Sequence, residues 1–407
     1  MREHLVIIGG GMAGVKLAKT LSEQEQHLYD ITLISEEANV GYNRIMLSPL
    51  LADEISESDM ALVDLSAMQQ SNVNILAGTQ VTKVKLDSSQ LTLSNRQILS
   101  FDKLVFATGS RSRMPESSEQ LHENLIGFRD LNDVAKMANL PDNSSIVVVG
   151  GGLLGLEAAV GLVKRGHRVT VVHRSSHLLN RQLDTQAAAL LQAELEAQGV
   201  HFILLDGLKE LIDEGTNRIK RISLNSGREL DTDCVVMTAG IVPEVSVAKD
   251  AGLEVNKAIV VNEWLETSCQ NVFALGECTE YRKQTFGLVA PIWDQVDVLV
   301  ARLVGSHKNY RGPFQVKPTP VKLKVSGINL FSVGNLDEFE GGQSFVFKDP
   351  SARHYRRLVV KDGKLVGAIL FGNVADGGWY FQLIQNNTDI TPFSDRLLFG
   401  ETYCQAS

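Results

Sequence analysis

Apolar residues in this chain come in short continuous runs more often than in alternation. Leu5-Val6-Ile7-Ile8, Ile31-Thr32-Leu33-Ile34, Lys103-Leu104-Val105-Phe106, Ile146-Val147-Val148-Val149, Arg168-Val169-Thr170-Val171-Val172 and Cys234-Val235-Val236-Met237 are such runs, each with glycine or polar residues close by on both sides. Runs of this length fit strands buried on both faces, as in a parallel sheet covered by helices. The pattern predicts a strand over 5–10, a helix through about Glu25 and a strand ending at Ser35. It repeats as a strand over 146–150, a helix to about Arg165 and a strand ending at His173. Asn271 to Cys278 reads as a further buried strand ending in a tight turn. From roughly Tyr310 the pattern shortens. Lys322–Val325, Leu330–Val333, Arg357–Val360 and Leu365–Phe371 are strand candidates with turns such as Lys361-Asp362-Gly363-Lys364, and Trp379 to Ile384 is helix-like. This last stretch reads as a separate, smaller α+β domain.

What joins strand to helix in the two repeats carries the chemistry. The first junction is Gly9-Gly10-Gly11-Met12-Ala13-Gly14; the second is Gly150-Gly151-Gly152-Leu153-Leu154-Gly155. Each is G-x-G-x-x-G between a strand and a helix, the context that makes this pattern a dinucleotide-binding fingerprint. The first glycine permits the tight turn, the second lets backbone approach a pyrophosphate, and the third lets helix pack on strand. The pyrophosphate then sits at the positive end of the helix. Glu36 and Glu37 follow the next strand, at the distance of about 20 residues where a carboxylate holds ribose hydroxyls. Either could do so. The expected fold is therefore α/β, with two Rossmann-like dinucleotide-binding domains and the C-terminal α+β domain. Two such sites in one chain point to two cofactors that exchange electrons.

Bulk properties narrow the partners. The 407 residues carry a net charge of −9, and 44% are hydrophobic. An acidic surface disfavours nucleic acid and anionic membranes. Met1-Arg2-Glu3-His4 runs straight into the first strand, so no signal peptide is expected, and the location expected is cytoplasmic. The longest apolar stretch, Ile146 to Val163, contains glycines and Glu157 and fits strand–turn–helix better than a bilayer span. Cys234, Cys269, Cys278 and Cys404 form no close pair, so neither a metal site nor a redox disulfide is expected.

Three more motifs, Ala107-Thr108-Gly109, Thr238-Ala239-Gly240 and Ala274-Leu275-Gly276-Glu277, make residues 4–305 resemble the FAD-dependent pyridine nucleotide–disulfide oxidoreductase superfamily. The resemblance implies FAD on the first turn (Gly9, Gly11, Met12, Ala13, Gly14) and NADH or NADPH on the second (Gly150, Gly152, Leu153, Leu154, Gly155). It implies a discontinuous FAD domain, residues 1–115 and 242–310. The NAD(P)H domain would be 116–241 and the C-terminal domain 311–407. The segment from Tyr42 to Ala52, Arg181-Gln182-Leu183-Asp184, Gly287 to Pro291 and Ala375 to Ile384 look like assimilatory NAD(P)H nitrite reductase large subunits. Rubredoxin reductases share much of this. No cysteine set here would ligate a [2Fe–2S] cluster or sirohaem, so an electron-input module is expected.

By the same resemblance, Glu277 binds a ribityl hydroxyl and Gln295 opens a helix facing the flavin C2 carbonyl. Arg44 lies near the FAD phosphates or ring, and Arg113 and Val81 near the adenine half. Ala107, Thr108, Gly109, Gly276 and Pro49 complete the FAD set. Pro49 stands where relatives carry a lysine paired to the acid matching Glu157. Glu157, His173, Arg174 and Gly240 belong to the NAD(P)H side. His173 takes the strand-end place where an acid would favour NADH; Arg174 and Ser175 follow, and an arginine there pairs with a 2′-phosphate. The implied activity is hydride transfer from NAD(P)H to flavin, then electron delivery to a nitrate or nitrite reductase component, a rubredoxin or a ferredoxin. Oxidase, peroxidase and disulfide reductase chemistry needs a cysteine between Tyr42 and Ala52, and none is there. A non-catalytic, NAD(P)H-responsive flavoprotein is the alternative from another class.

Overall fold

The computed structural model describes residues 2–24, 28–115, 122–305, 312–325, 327–337 and 340–405. The chain divides into two compact units. One comprises Met1–Leu47, Ile55–Arg111 and Ile241–Val316; the other comprises Ser48–Glu54, Ser112–Gly240 and Lys317–Ser407.

The first unit is built on a five-stranded parallel sheet in the order Val272–Ala274, Lys103–Phe106, Glu3–Ile8, Tyr29–Ile34, Val73–Leu76. Its strands are the continuous apolar runs. Leu5, Val6 and Ile7 are fully buried because both faces of the sheet are covered. Helices Met12–Ser22 and Val289–Val304 pack against each other on this unit. The first ends at Ser22 with Glu23 as its C-cap, short of the expected end near Glu25, a residue outside those described. The second accepts Pro291 because a first-turn residue has no intrahelical partner for its N–H. A three-stranded antiparallel meander, Val81–Lys85, Gln90–Leu93 and Ile98–Ser100, completes the unit.

The second unit repeats that plan. Its parallel sheet runs Leu125–Ile126, Cys234–Met237, Ser145–Val149, Arg168–His173, Val200–Leu204. The meander here is Leu208–Ile212, Arg221–Leu224 and Glu229–Asp231. The duplication therefore extends beyond the glycine turns to strand order and the inserted meander.

Also in the second unit is an antiparallel sheet in the order Val321–Val325, Ile328–Gly334, Lys364–Phe371, His354–Lys361, Gly342–Asp349. Helix Gly377–Gln385 packs on it over a core that includes Phe331, Leu358, Leu370 and Tyr380. The edge strand Gly342–Asp349 was not among the expected strands. It is exposed along most of its length, so no buried face imposes alternation on its sequence. Asp184, in the motif beginning at Arg181, ties this sheet to the unit by accepting from Tyr355 Oη (2.5 Å) and pairing with Arg357 (3.4 Å). Ser332 Oγ donates to Gln182 O (2.6 Å).

Candidate functional site

In the first turn, Gly9 has φ +123°, and a Cβ there would stand 2.1 Å from Ala107 O. A Cβ on Gly14 would stand 2.0 Å from Gly9 O. Side chains are thus excluded at both ends, where strand and helix meet. Between them, a Cβ on Gly11 would meet only the Arg44 guanidinium, at 3.7 Å. Gly11 is the N-cap of helix Met12–Ser22; no side chain caps it and no acid lies in the first turn. The second turn reproduces this. Gly150 has φ +124°, a Cβ on Gly155 would lie 1.9 Å from Gly150 O, and nothing stands within 4 Å of one on Gly152. Gly152 caps helix Leu153–Lys164, again without a side-chain bond or a first-turn acid. Each turn presents bare backbone and free helix N–H groups, a fit for one pyrophosphate apiece. Met12, Ala13, Leu153 and Leu154 supply the first helical residues, and Leu154 is exposed.

Around the first turn the structure gathers several expected residues. Glu37 accepts from Tyr42 Oη (2.6 Å) and pairs with Arg44, while Glu36 is exposed at the strand end. Of the two, Glu37 is engaged with the arginine, while among the described residues the Glu36 carboxylate faces solvent. Ala107 N–H donates to Ile8 O (2.8 Å), and Thr108 Oγ1 donates to Glu244 O (2.5 Å). A Cβ on Gly276 would touch Ala13 Cβ at 3.4 Å, which brings the Gly276-Glu277 turn to the start of the first helix. Glu277 accepts from Ser110 Oγ (2.6 Å). Gly109 takes φ +69°, and Val81 is buried in its meander strand.

Gln295 does not open its helix. The helix begins at Val289, because Pro291 is tolerated in its first turn, and Gln295 lies fully buried further along. Its Oε1 accepts the Gly276 N–H (2.7 Å), and among the described residues its Nε2 has no hydrogen-bond partner. It thus fixes the turn that carries Glu277 and keeps one buried donor unspent.

Arg113 and Pro49 lie in the second unit. Arg113 N–H donates to Gly240 O (3.0 Å), with its Nε 3.9 Å from where a Gly240 Cβ would be. Pro49 sits in the short helix Leu47–Leu51. Its neighbour Ser48 donates from Oγ to Glu157 Oε2 (2.5 Å). Burial pushes the Glu157 carboxyl above its usual range, and the Ser48 hydrogen bond acts the other way. The rest of Ser48–Glu54 is fastened to the same helix: Arg165 Nε donates to Leu51 O (2.5 Å), and Lys164 pairs with Glu54.

At the second strand end, His173 is buried beneath the turn and its Nδ1 accepts the Gly151 N–H (3.1 Å). That bond puts the ring proton on Nε2, so the ring is neutral. Burial also lowers its affinity for a second proton. The exposed residue at this strand end is therefore Arg174, one residue beyond the expected His173. Thr238 Oγ1 donates to Val149 O (3.0 Å) and Gly150 O (3.2 Å), closing the turn.

Tyr42 and Ser48 lie in the Tyr42–Ala52 segment, which gives neither a role of its own, and Ser110 lies in no motif. Each bonds an acid expected at the site, and the spacing of Ser48 from Glu157 and of Ser110 from Glu277 is set by tertiary structure. All four cysteines are thiols, and burial raises that of Cys234 to about 12. Among the described residues no cluster of His, Cys, Asp and Glu is placed to hold a metal ion, and no helix is long and apolar enough to cross a membrane.

Residues 3–296 match the family described as pyridine nucleotide-disulphide oxidoreductase, and residues 320–388 match the rubredoxin NAD+ reductase C-terminal domain. The chain is 33% identical over 394 residues to a nitrite reductase [NAD(P)H] of Bacillus subtilis (strain 168), covering 97% of this chain and 48% of that one. It is also 33% identical over 403 residues to an assimilatory nitrate reductase electron transfer subunit of the same organism, covering 98% and 52%. The chain thus spans about half the length of these relatives. A crystal structure of a covalent putidaredoxin reductase–putidaredoxin complex superposes with TM-score 0.86 at 24% identity, over 98% of this chain and 96% of that one.

Proposed function

Because this chain belongs to the pyridine nucleotide-disulphide oxidoreductase family, we propose that it is an FAD-dependent NAD(P)H reductase that passes electrons to a redox protein of nitrate or nitrite assimilation. The observation that carries this reading is the pair of equivalent turns, each with an uncapped helix start and an unobstructed middle glycine. A chain with one such turn could bind one dinucleotide; this chain has a place for a reductant and a place for a resident acceptor.

In this reading the FAD pyrophosphate lies on Gly9–Gly14 beneath Arg44, Glu36 receives the adenosine ribose, and Glu277 receives a ribityl hydroxyl. Gln295 Nε2, without a partner among the described residues, is a donor left for the isoalloxazine side of the site. The flavin, when bound, supplies a two-electron acceptor that releases electrons singly or in pairs. The chain's own residues bind and orient: Gly150–Gly155 receives the coenzyme, with Arg113 and Gly240 beside the closing motif. In this reading residues 1–115 with 242–310 are the FAD domain, apart from Ser48–Glu54 and the residues from Ser112 on, which fall in the second compact unit; 116–241 are the NAD(P)H domain and 311–407 the C-terminal domain. The protein works in the cytoplasm.

The named relatives support an acceptor in nitrate or nitrite reduction. The match of residues 320–388 favours one second reading, a rubredoxin or ferredoxin reductase of another pathway. Purification should give a yellow protein whose flavin band bleaches within seconds of mixing with NAD(P)H in a stopped-flow instrument. Reconstitution with candidate iron–sulfur, sirohaem and rubredoxin acceptors then assigns the partner. A colourless, folded protein that takes up no flavin defeats the proposal, and bleaching over many minutes would favour a signalling flavoprotein.

A further inference from the structure

We propose that the coenzyme of the second turn carries a 2′-phosphate, and that Arg174 is the side chain that receives it. The proposal rests on reading that turn as the NAD(P)H site and adds which of the two coenzymes it takes.

The two halves can be aligned by hydrogen bonds without reference to any other protein. Gly9 N–H donates to Ile34 O (2.8 Å), and Gly150 N–H donates to Val172 O (2.9 Å). Ile34 and Val172 are therefore equivalent. One residue further, both chains turn beneath the middle of the glycine loop. A Cβ on Gly10 would lie 2.5 Å from Ser35 Cβ, and one on Gly151 would lie 2.9 Å from His173 Cγ. Ser35 and His173 are thus equivalent, and the next residue outward is Glu36 in one half and Arg174 in the other, both exposed.

The chemistry at that shared position is opposite in the two halves. A carboxylate accepts hydrogen bonds, and a ribose with two free hydroxyls donates them. A guanidinium only donates, so it gives nothing to a hydroxyl's proton, but its planar fork matches a phosphate and neutralises its charge. No neighbouring acid competes for Arg174. Among the described residues none forms an ion pair or hydrogen bond with it. Asp206, whose N–H donates to His173 O (3.2 Å), turns its carboxylate to Ser226 Oγ (2.5 Å) and Gly207 N–H (2.9 Å). His173, neutral under the turn, adds neither a rival charge nor a hydroxyl acceptor.

The test compares coenzymes on the flavin-loaded protein, with ferricyanide as acceptor. NADPH should exceed NADH in kcat/KM by about tenfold or more. Arg174→Ala should lower the ratio of the NADPH value to the NADH value by about 10- to 100-fold, the worth of charge-assisted hydrogen bonds. A calorimetric readout needs no turnover: adenosine 2′,5′-bisphosphate should bind more tightly than 5′-AMP, and Arg174→Ala should abolish the difference. Equal or better use of NADH by the unaltered protein overturns the inference while leaving the reductase reading intact. So does an Arg174→Ala variant that weakens both coenzymes alike. Failure of both nucleotides to bind and of both coenzymes to bleach the flavin overturns the reductase reading and this inference together.

Discussion

Adding one methyl group to Gly152 or to Gly155 should have opposite consequences. At Gly155 a Cβ would stand 1.9 Å from Gly150 O and 2.7 Å from Thr238 Oγ1. A carbon needs about 3.3 Å from a carbonyl oxygen, so helix Leu153–Lys164 must retreat from its strand by more than an ångström. Overpacking of that kind costs about 1–3 kcal/mol, or roughly 2–4 °C of Tm per kcal/mol in a domain of this size. At Gly152 nothing stands within 4 Å, and φ −86°, ψ −177° suits alanine. Alanine is a poorer N-cap than glycine by about 0.5–1 kcal/mol, offset by about 0.4–1 kcal/mol from a less flexible unfolded chain. Stability should therefore change by less than about 0.5 kcal/mol. The methyl would instead occupy the space the coenzyme pyrophosphate needs. Coenzyme affinity should fall at least about tenfold, or roughly 1.4 kcal/mol. Thermal melts of the flavin-loaded variants, with stopped-flow flavin reduction against coenzyme concentration, separate the two effects. Gly152→Ala with unaltered coenzyme affinity, or Gly155→Ala with unaltered Tm, refutes the reasoning.

Two further predictions concern buried charge. Glu157 has a carboxyl pKa raised by burial, so the folded state favours its neutral form. As pH rises through the unfolded value, about 4.3, the unfolded chain ionises first and stability falls until pH passes the folded pKa. Glu157→Gln removes this loss, so its Tm advantage over the parent protein should grow with pH from about 4 upward; a pH-independent difference would contradict the assignment. In the C-terminal sheet, Arg356 donates to Asp376 Oδ2 (2.7 Å), Tyr380 Oη (2.9 Å) and Leu398 O (2.7 Å). Arg356→Met removes the cationic partner of the partly buried Asp376 carboxylate, which keeps the Glu401 N–H (3.2 Å), and should destabilise by about 2–3 kcal/mol in urea unfolding. Arg356→Met with Asp376→Asn should recover part of that, and a single variant within 1 kcal/mol of the parent shows the network to be unimportant.

Local features were readable from the sequence, and features set by tertiary contact were not. The glycine turns announce themselves because the clashes at Gly9, Gly14, Gly150 and Gly155 admit no other residue. The buried parallel strands were legible because burial on both faces leaves an unbroken apolar run. The second strand end was misjudged by one residue: a histidine turned under the loop and one turned toward a ribose look alike until the Gly151 N–H to Nδ1 bond is seen. The resemblance sets Gln295 at a helix start, whereas the helix begins six residues earlier at Val289, with Pro291 in its first turn. Nothing local links Ser48 to Glu157, or Gln295 to Gly276, since those bonds exist only once separate strands and helices have assembled.

Neither compact unit is one continuous length of polypeptide; each is stitched from three stretches. A single nick or splice therefore liberates neither half whole, and a lineage seeking a different reductant cannot obtain one by trading a cassette at one junction. Such a change has to be written in place, residue by residue, and if Arg174 receives a 2′-phosphate as proposed, its codon is where the smallest edit would have the largest effect.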